Sequence, residues 1–334
     1  MAASTGKCPL CSRSVRVIAE RTNGYQTGQQ FTLMECEGCL ASYASPLAVD
    51  DALYGHIYEN IRQVPGYNRY YHYATEVLRQ RHALDYLSRQ EESYWAVATH
   101  LKERRKRAAS LKVLEVGCGL GYFTYACAKD GCSITGIDIS ATAVAWATEH
   151  YGPYYAKKTL ADLKAEGVRY DLVIMNQLIE HLPDVHPFLA EALDILADGG
   201  ELLVTTPNKS AFPGEQWETE LPPVHLWWFS EESIRYLASS HGCAVSFVDF
   251  KPYTDRHFRV KELLQAPFRG QPVLDQQGTV IMRQEIAPDG PLKRFLDRTG
   301  VLDKLRLARA ALQGKDRWRG SQGPILAAVM RRAG

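Results

Sequence analysis

Residues 113–124 read VLEVGCGLGYFT, and this run leaves few architectures open to the chain. A strand-length segment, 113–116, leads directly into Gly117-Cys118-Gly119-Leu120-Gly121, and residues 123–129 then take up helical spacing. Closely spaced glycines let the backbone turn sharply, and their missing Cβ atoms let a ligand approach the N–H groups at a helix start. Further on, strand-length apolar runs at 134–137, 172–175 and 202–205 alternate with helical runs at 141–150 and 187–196. Short apolar runs separated by helices imply βαβ units and a parallel sheet. Gly131, Gly199 and Gly200 stand where helix C-caps are expected. Ser230 is a fitting N-cap for a helix over 231–239, with a strand over 244–250 after it.

A glycine loop alone is a weak indicator, and a tight turn without a ligand is the alternative. Three features sharpen it. The spacing is GxGxG rather than GxGxxG, with Tyr122 where a dinucleotide motif has its third glycine. Glu115 lies two residues ahead of the first glycine. Asp138 ends the next strand, about twenty residues on, where a carboxylate can accept from both hydroxyls of a ribose.

Glu115-x-Gly117-x-Gly119-x-Gly121 followed by Gly136-Ile137-Asp138 resembles the cofactor signature of the class I S-adenosylmethionine-dependent methyltransferases, over roughly residues 111–250 and a final strand. The resemblance implies an α/β fold with a doubly wound, Rossmann-like, seven-stranded and mostly parallel sheet. It implies S-adenosylmethionine bound by Glu115, Gly117, Gly119, Gly121, Tyr122 and Asp138. Asp162-Leu163 is similar to the family's acidic position that caps the adenine amino group, although an N-cap or solvated acid is the competing reading of Asp162. Ile137, Ile139 and Leu163 would then sandwich the adenine. Residues 171–176, ending in Asn176, resemble the family's fourth strand.

Cys8-Pro9-Leu10-Cys11 and Cys36-Glu37-Gly38-Cys39 form a second motif, CxxC-x24-CxxC. Each pair can place two thiolates on one metal, and two such knuckles close a tetrahedral four-cysteine Zn2+ site. Four thiolates leave no open position, so this zinc is expected to be structural. Strand-like runs at 15–19 and 31–35, with Asn23-Gly24 between them, suit a zinc ribbon.

Methyl transfer requires a positioned acceptor and, for many acceptors, a base. His225, in LPPVHLWWFS, is the first candidate, with bracing of its own loop as the alternative. The block from Thr206-Pro207-Asn208 to Ser230 resembles the acceptor loop of a large bacterial subgroup of class I methyltransferases. His181 is the second candidate. Glu180-His181 resembles the ExxEH metal-binding element of the ubiquinone-pathway O-methyltransferases, but Gln177 replaces the first acid, and an amide is a poorer ligand for a hard cation. Tyr71 is the third, within a run (Tyr54, Tyr58, Tyr67, Tyr70, Tyr71, Tyr73) that would fold over the cofactor mouth or pack as a linker. Ribbon, tyrosine run, core and lid also resemble the deoxysugar C-methyltransferases, without room for their extra C-terminal domain.

The expected organisation is a zinc ribbon at 1–45 and a tyrosine-rich linker and long helix at 46–107, the helix being one piece over 75–107. A cofactor-binding core follows at 108–250, then an inserted lid and the final strand at 251–334. In the lid, Pro291 and Gly300 delimit helices over 291–299 and 301–313, Gly314 stops the second, and 325–330 is the strand. Lys+Arg (39) nearly equals Asp+Glu (38), so no basic field favours nucleic acid. The absence of a leader-like start, of a long apolar run and of a disulfide-like cysteine pattern makes a cytoplasmic location the expectation, with no membrane span. The expected partner is a small-molecule methyl acceptor, with Trp217, Trp227 and Trp228 nearby and O-methylation ahead of C- or N-methylation. The inserted arm is compatible with a homodimer. The alternatives are an RNA methyltransferase that reads its substrate through the ribbon, and a non-catalytic partner protein retaining the fold.

Overall fold

The computed structural model describes residues 6–108, 110–211, 221–257, 270–312 and 323–333. Trp217, Gln313 and Gly314 lie outside them. No helix among the described residues is long and apolar enough to cross a membrane.

The chain opens with strands β1 (Val15–Asn23), β2 (Gln30–Cys36) and β3 (Ser42–Ser45), paired antiparallel. Helices α1 (Asp51–Glu59), α2 (Asn68–Glu76), α3 (Ala83–Ser88) and α4 (Glu92–Arg107) follow. The single helix expected over 75–107 is therefore three pieces. Apolar residues do recur at helical spacing, but polar residues at the breaks take partners from elsewhere in the fold. Glu76 is fully buried and bonds both Arg79 (2.6 Å) and Arg294 (3.0 Å). Glu91, extended at φ −143° and ψ 151°, pairs with Arg69 at 3.1 Å. Spacing within a segment carries no information about partners so far away in sequence.

From β4 (Lys112–Val116) the chain passes through α5 (Tyr122–Lys129) to β5 (Ser133–Asp138), then α6 (Ala141–Tyr151) and β6 (Tyr155–Lys157). After α7 (Leu160–Ala165) it returns to β7 (Tyr170–Asn176) on the other side of β4, then crosses by α8 (Val185–Asp194) to β8 (Leu196–Pro207). β9 (Trp227–Trp228), α9 (Glu231–Ser240), β10 (Cys243–Phe247), α10 (Lys251–His257), α11 (Pro291–Arg298), α12 (Val301–Leu312) and β11 (Ile325–Arg332) complete the order. The large sheet runs β10-β11-β8-β7-β4-β5-β6, parallel except for β11, which is antiparallel to both neighbours. This is the expected doubly wound, seven-stranded α/β sheet. Its order reverses beside β4, which puts a ligand crevice at the carboxyl ends of β4, β5 and β7.

Local rules explain several boundaries. Ser230 caps α9 by accepting from Ser233 N at 3.1 Å, and Pro291 sits at the start of α11. Gly131, at φ +82°, follows α5 as a C-cap should. Gly199 and Gly200 do not cap a helix: α8 ends at Asp194, and both glycines lie inside β8. A Cβ on Gly200 would stand 2.8 Å from Ala197 O and 2.9 Å from Tyr170 O, so they make the irregular step in β8 between Leu196 and Glu201. The expected strand over 244–250 is β10 and ends at Phe247.

β9 joins the ribbon hairpin as a fourth strand, with Tyr43 opposite Trp227 and Ser42 opposite Trp228. The ribbon and the segment carrying His225 are thus one sheet. The inserted segment closes the same region. Val273 N and Leu274 N donate to Tyr25 O at 2.8 and 3.1 Å, and Tyr25, Leu53, Ile57, Leu221, Val224 and Leu274 share one apolar cluster. Arg294 of α11 and Asp289 before it bind Glu76 and His72 of α2.

Candidate functional site

The glycine loop owes its shape to three residues with positive φ: Gly117 (+73°), Gly119 (+50°) and Gly121 (+74°). Gly121 is also closely surrounded. A Cβ there would lie 2.5 Å from the Tyr155 ring and 2.7 Å from Ala147 Cβ. Left-handed backbone costs an L-residue about 1–2 kcal/mol, and overpacking adds about 1–3. Gly121→Ala is therefore expected to lower stability by about 2–5 kcal/mol, read as a clear drop in the thermal midpoint. An unchanged midpoint would contradict this packing.

The loop and the end of β5 are tied together. Gly117 N and Cys118 N donate to Ile137 O at 2.8 and 3.0 Å. Asp138 accepts from Gly119 N at 2.9 Å and from Ser140 N at 2.8 Å. Burial raises the Asp138 carboxyl above its usual range against these bonds. Beside it Ile139 is 73% exposed, an apolar side chain standing open next to a carboxylate. Glu115 is buried behind the loop, where Thr124 Oγ1 donates to it, and burial pushes it up to about 8.

Other expected cofactor residues sit differently. Leu163 is buried in the core. Asp162 is the third residue of α7 and accepts from Thr159 N and Oγ1, both at 2.8 Å, as half of a capping box. Tyr122 is buried, its hydroxyl paired with that of Tyr94. Asn176 Oδ1, at the end of β7, accepts from Thr205 Oγ1 at 2.7 Å. The structure thus gathers the three glycines, Asp138 and Ile139 at the carboxyl ends of β4 and β5, with Glu115 buried behind the loop. It gives Asp162, Leu163 and Tyr122 structural partners.

Of the tyrosine run, Tyr58 reaches this region, while Tyr67, Tyr70 and Tyr73 pack in or against an apolar core cluster. Tyr58 Oη is 3.3 Å from where a Gly119 Cβ would be. Tyr58 and Tyr71 line a cavity of about 320 Å³ with Arg62, Leu120 and Trp146. The hydroxyl that reaches a histidine belongs to Tyr54, which lies 3.1 Å from His181 Nδ1. His181 and His225 meet edge to face at 4.6 Å between ring centroids, and together with the buried Glu180 carboxylate their ligand atoms lie within 4.8 Å of one another. His225 is buried, whereas His181 is half-buried. Gln177 has φ +53° and donates through its backbone N to Thr205 Oγ1 at 3.1 Å.

The four cysteines form the second centre. None is in a disulfide, and their sulfurs lie within 4.8 Å of one another, with Cys8 to Cys39 at 3.8 Å and Cys11 to Cys36 at 3.2 Å. Four thiolates about 2.3 Å from a tetrahedral zinc stand about 3.8 Å apart, so the donor set fits. Gly38 N and Cys39 N point at Cys36 Sγ at 3.3 and 3.4 Å. Leu10, inside the first knuckle, accepts from His186 Nε2 at 2.8 Å, which ties the ribbon to α8.

Sequence reasoning missed Thr124, Thr205, the particular role of Tyr54 and the β9 pairing. Each depends on a partner distant in the chain, and no local pattern flags it.

A doubly wound sheet with a glycine loop and a strand-end aspartate at its reversal point belongs to an α/β protein that holds a nucleoside-bearing ligand. Residues 77–246, about half of the chain, match the profile of the methyltransferase domain family, and the chain belongs to that family. It is 35% identical over 159 residues to a probable S-adenosylmethionine-dependent methyltransferase of Mycolicibacterium smegmatis, covering 46% of this chain and 61% of that protein. It is 31% identical over 123 residues to a ubiquinone biosynthesis O-methyltransferase of a Chelativorans species, covering 34% of this chain and 48% of that protein. The chain thus spans between about half and three fifths of these curated relatives. A solved S-adenosylmethionine-dependent methyltransferase of Archaeoglobus fulgidus is 15% identical with a TM-score of 0.40, covering 70% of this chain and 93% of that one.

Proposed function

We propose that this chain transfers a methyl group from S-adenosylmethionine to an oxygen of a small-molecule acceptor. The observation that carries the reading is the pairing of Asp138 with the glycine loop at the sheet's reversal point, beside the exposed Ile139. Asp138 would hold the ribose hydroxyls, Ile139 would cover one face of the adenine, and the loop N–H groups would receive the rest of the cofactor. S-adenosylmethionine supplies an activated methyl on a sulfonium, so the protein's task is to orient the acceptor and take its proton.

The His181–His225 pair suits that second task. An imidazole titrates near neutrality and accepts a proton from a phenol- or enol-like hydroxyl as the oxygen–methyl bond forms and the sulfur–methyl bond breaks. The names of the ubiquinone-pathway relatives favour an oxygen acceptor. The ribbon would hold a structural zinc on Cys8, Cys11, Cys36 and Cys39.

His181→Ala and His225→Ala are each expected to keep the cofactor dissociation constant within about threefold. The variant that removes the base should lose on the order of 10²-fold in turnover. An assay of S-adenosylhomocysteine release over a panel of phenols, catechols and enols measures this. Full activity in both variants would remove the histidines from the chemistry.

A further inference from the structure

Resting on the reading that the chain methylates a hydroxyl, we infer that Thr205 is a positioning residue. It holds the side-chain amides of Asn176 and Gln177 in opposite orientations, so that the end of β7 offers the methyl acceptor one hydrogen-bond donor and one hydrogen-bond acceptor side by side. Such a pair selects small molecules that carry a hydroxyl next to a carbonyl.

Thr205 of β8 stands opposite Asn176 in the sheet and is fully buried. Its hydroxyl has one hydrogen and two lone pairs. Gln177 N donates to Oγ1 at 3.1 Å and takes one lone pair. The two amides share what is left, with Asn176 Oδ1 at 2.7 Å and Gln177 Nε2 at 3.3 Å. Were both amides to turn an oxygen to Oγ1, a single hydrogen would face two acceptors. Were both to turn a nitrogen, three donors would crowd two lone pairs. One amide therefore approaches by its oxygen and the other by its nitrogen. The 2.7 Å contact has the length of a hydroxyl hydrogen bond, so Asn176 is the amide that accepts. Its nitrogen is left as a donor, and the oxygen of Gln177 is left as an acceptor. Exchanging both amides would swap the two roles and still keep one of each.

The surroundings set this pair beside the reaction. Asn176 and Gln177 are half-buried at the carboxyl end of β7, the strand next to β4 and its glycine loop. Leu178, the next residue, packs on that loop, since a Cβ on Gly117 would lie 2.9 Å from Leu178 Cδ1. Gln177 also has φ +53°, and among the described non-glycine residues it is the one outside the ribbon with left-handed backbone. Strain of this kind clusters at functional sites and persists where the surroundings hold it. Thr205 does the holding, because Gln177 N donates both to Thr205 O at 3.0 Å and to Thr205 Oγ1 at 3.1 Å. The residue that fixes the strained turn is thus the one that orients the two amides.

Titration calorimetry on the full chain saturated with S-adenosylhomocysteine tests this without turnover. Salicylamide carries a hydroxyl beside a carbonyl, phenol lacks the carbonyl, and benzamide lacks the hydroxyl. Native protein is expected to bind salicylamide at least about tenfold more tightly than either of the others. Thr205→Val, which keeps the shape and removes the hydroxyl, should cut that preference to about twofold, and Thr205→Ser should restore it. Affinity for S-adenosylhomocysteine should stay within about threefold in all three proteins. Equal binding of the three probes, no binding of salicylamide, or an undiminished preference in Thr205→Val would overturn the inference. So would a loss of S-adenosylhomocysteine affinity as large as the loss for salicylamide, because the amides would then serve the cofactor. Should Thr205→Val fail to fold, Gln177→Leu, which removes one amide, is read in the same way. If salicylamide binds as expected and S-adenosylmethionine methylates no hydroxyl, the O-methylation reading fails and the inference about Thr205 stands.

Discussion

Asp138→Ala is expected to raise the dissociation constant for S-adenosylmethionine by about 10²–10³-fold. A carboxylate offers about four lone-pair sites, and two of those on Asp138 are taken by Gly119 N and Ser140 N. The rest would be available to the two ribose hydroxyls. Hydrogen bonds to a charged group contribute about 1.5–3 kcal/mol each, so losing both costs at least about 3 kcal/mol, which already amounts to the lower end of the fold-change stated. The substitution also releases Gly119, which loosens the loop that must receive the cofactor. Asp138→Asn separates the two effects. It keeps the shape, but one oxygen becomes a donor that meets an N–H of Gly119 or Ser140, so binding should weaken as well. Equilibrium dialysis with labelled cofactor measures both variants, and unchanged thermal midpoints would show that the fold survives. Native-like affinity in Asp138→Ala would remove the ribose contact from the account.

The second large effect is expected at the ribbon. Cys36→Ser, or removal of metal by a strong chelator, should release about one zinc per chain and abolish most acceptor turnover. Affinity for S-adenosylmethionine should change little. The separation follows from connectivity. Cys36 ends β2, β2 pairs with β3, and β3 pairs with β9 two residues after His225. Ala44 N donates to Leu226 O at 2.9 Å, so the ribbon grips the residue next to His225 directly. A structural zinc contributes on the order of 10 kcal/mol to the segment it folds, far more than so short a strand pairing can replace. The glycine loop and Asp138 belong to the other sheet, whose strands do not pair with the ribbon. Zinc content by mass spectrometry, cofactor binding and turnover, measured on one preparation, check it. Full turnover in a zinc-free protein would show that the ribbon does not position the acceptor side.

The parts of this account that were legible in the sequence are those governed by near neighbours. Gly117, Gly119 and Gly121 mark a turn that only glycine makes easily, and Asp138 ends a strand whose place follows from βαβ alternation. The two CxxC knuckles and the Ser230 cap are equally local. What the sequence hid is set by contacts between distant segments. The breaks after Glu76 and before Glu92 follow from ion pairs to Arg294 and Arg69. The run LPPVHLWWFS reads as a loop, yet Trp227 and Trp228 are a strand because the ribbon lies alongside them. Asp162 fits two local descriptions, and the geometry adopts the capping box with Thr159. Tyr71 and Tyr54 look alike in the sequence, and only the packing of α1 brings Tyr54 to His181.

The crevice expected at the carboxyl ends of β4, β5 and β7, beside the glycine loop and Asp138, is proposed to bind S-adenosylmethionine. Isothermal titration of the unaltered protein with S-adenosylhomocysteine tests it most directly, because the product shares the adenosine and amino-acid moieties and needs no acceptor. The account predicts saturable binding of about one molecule per chain, strongly weakened by Asp138→Ala. The absence of any saturable heat with well-folded protein at millimolar ligand would contradict it.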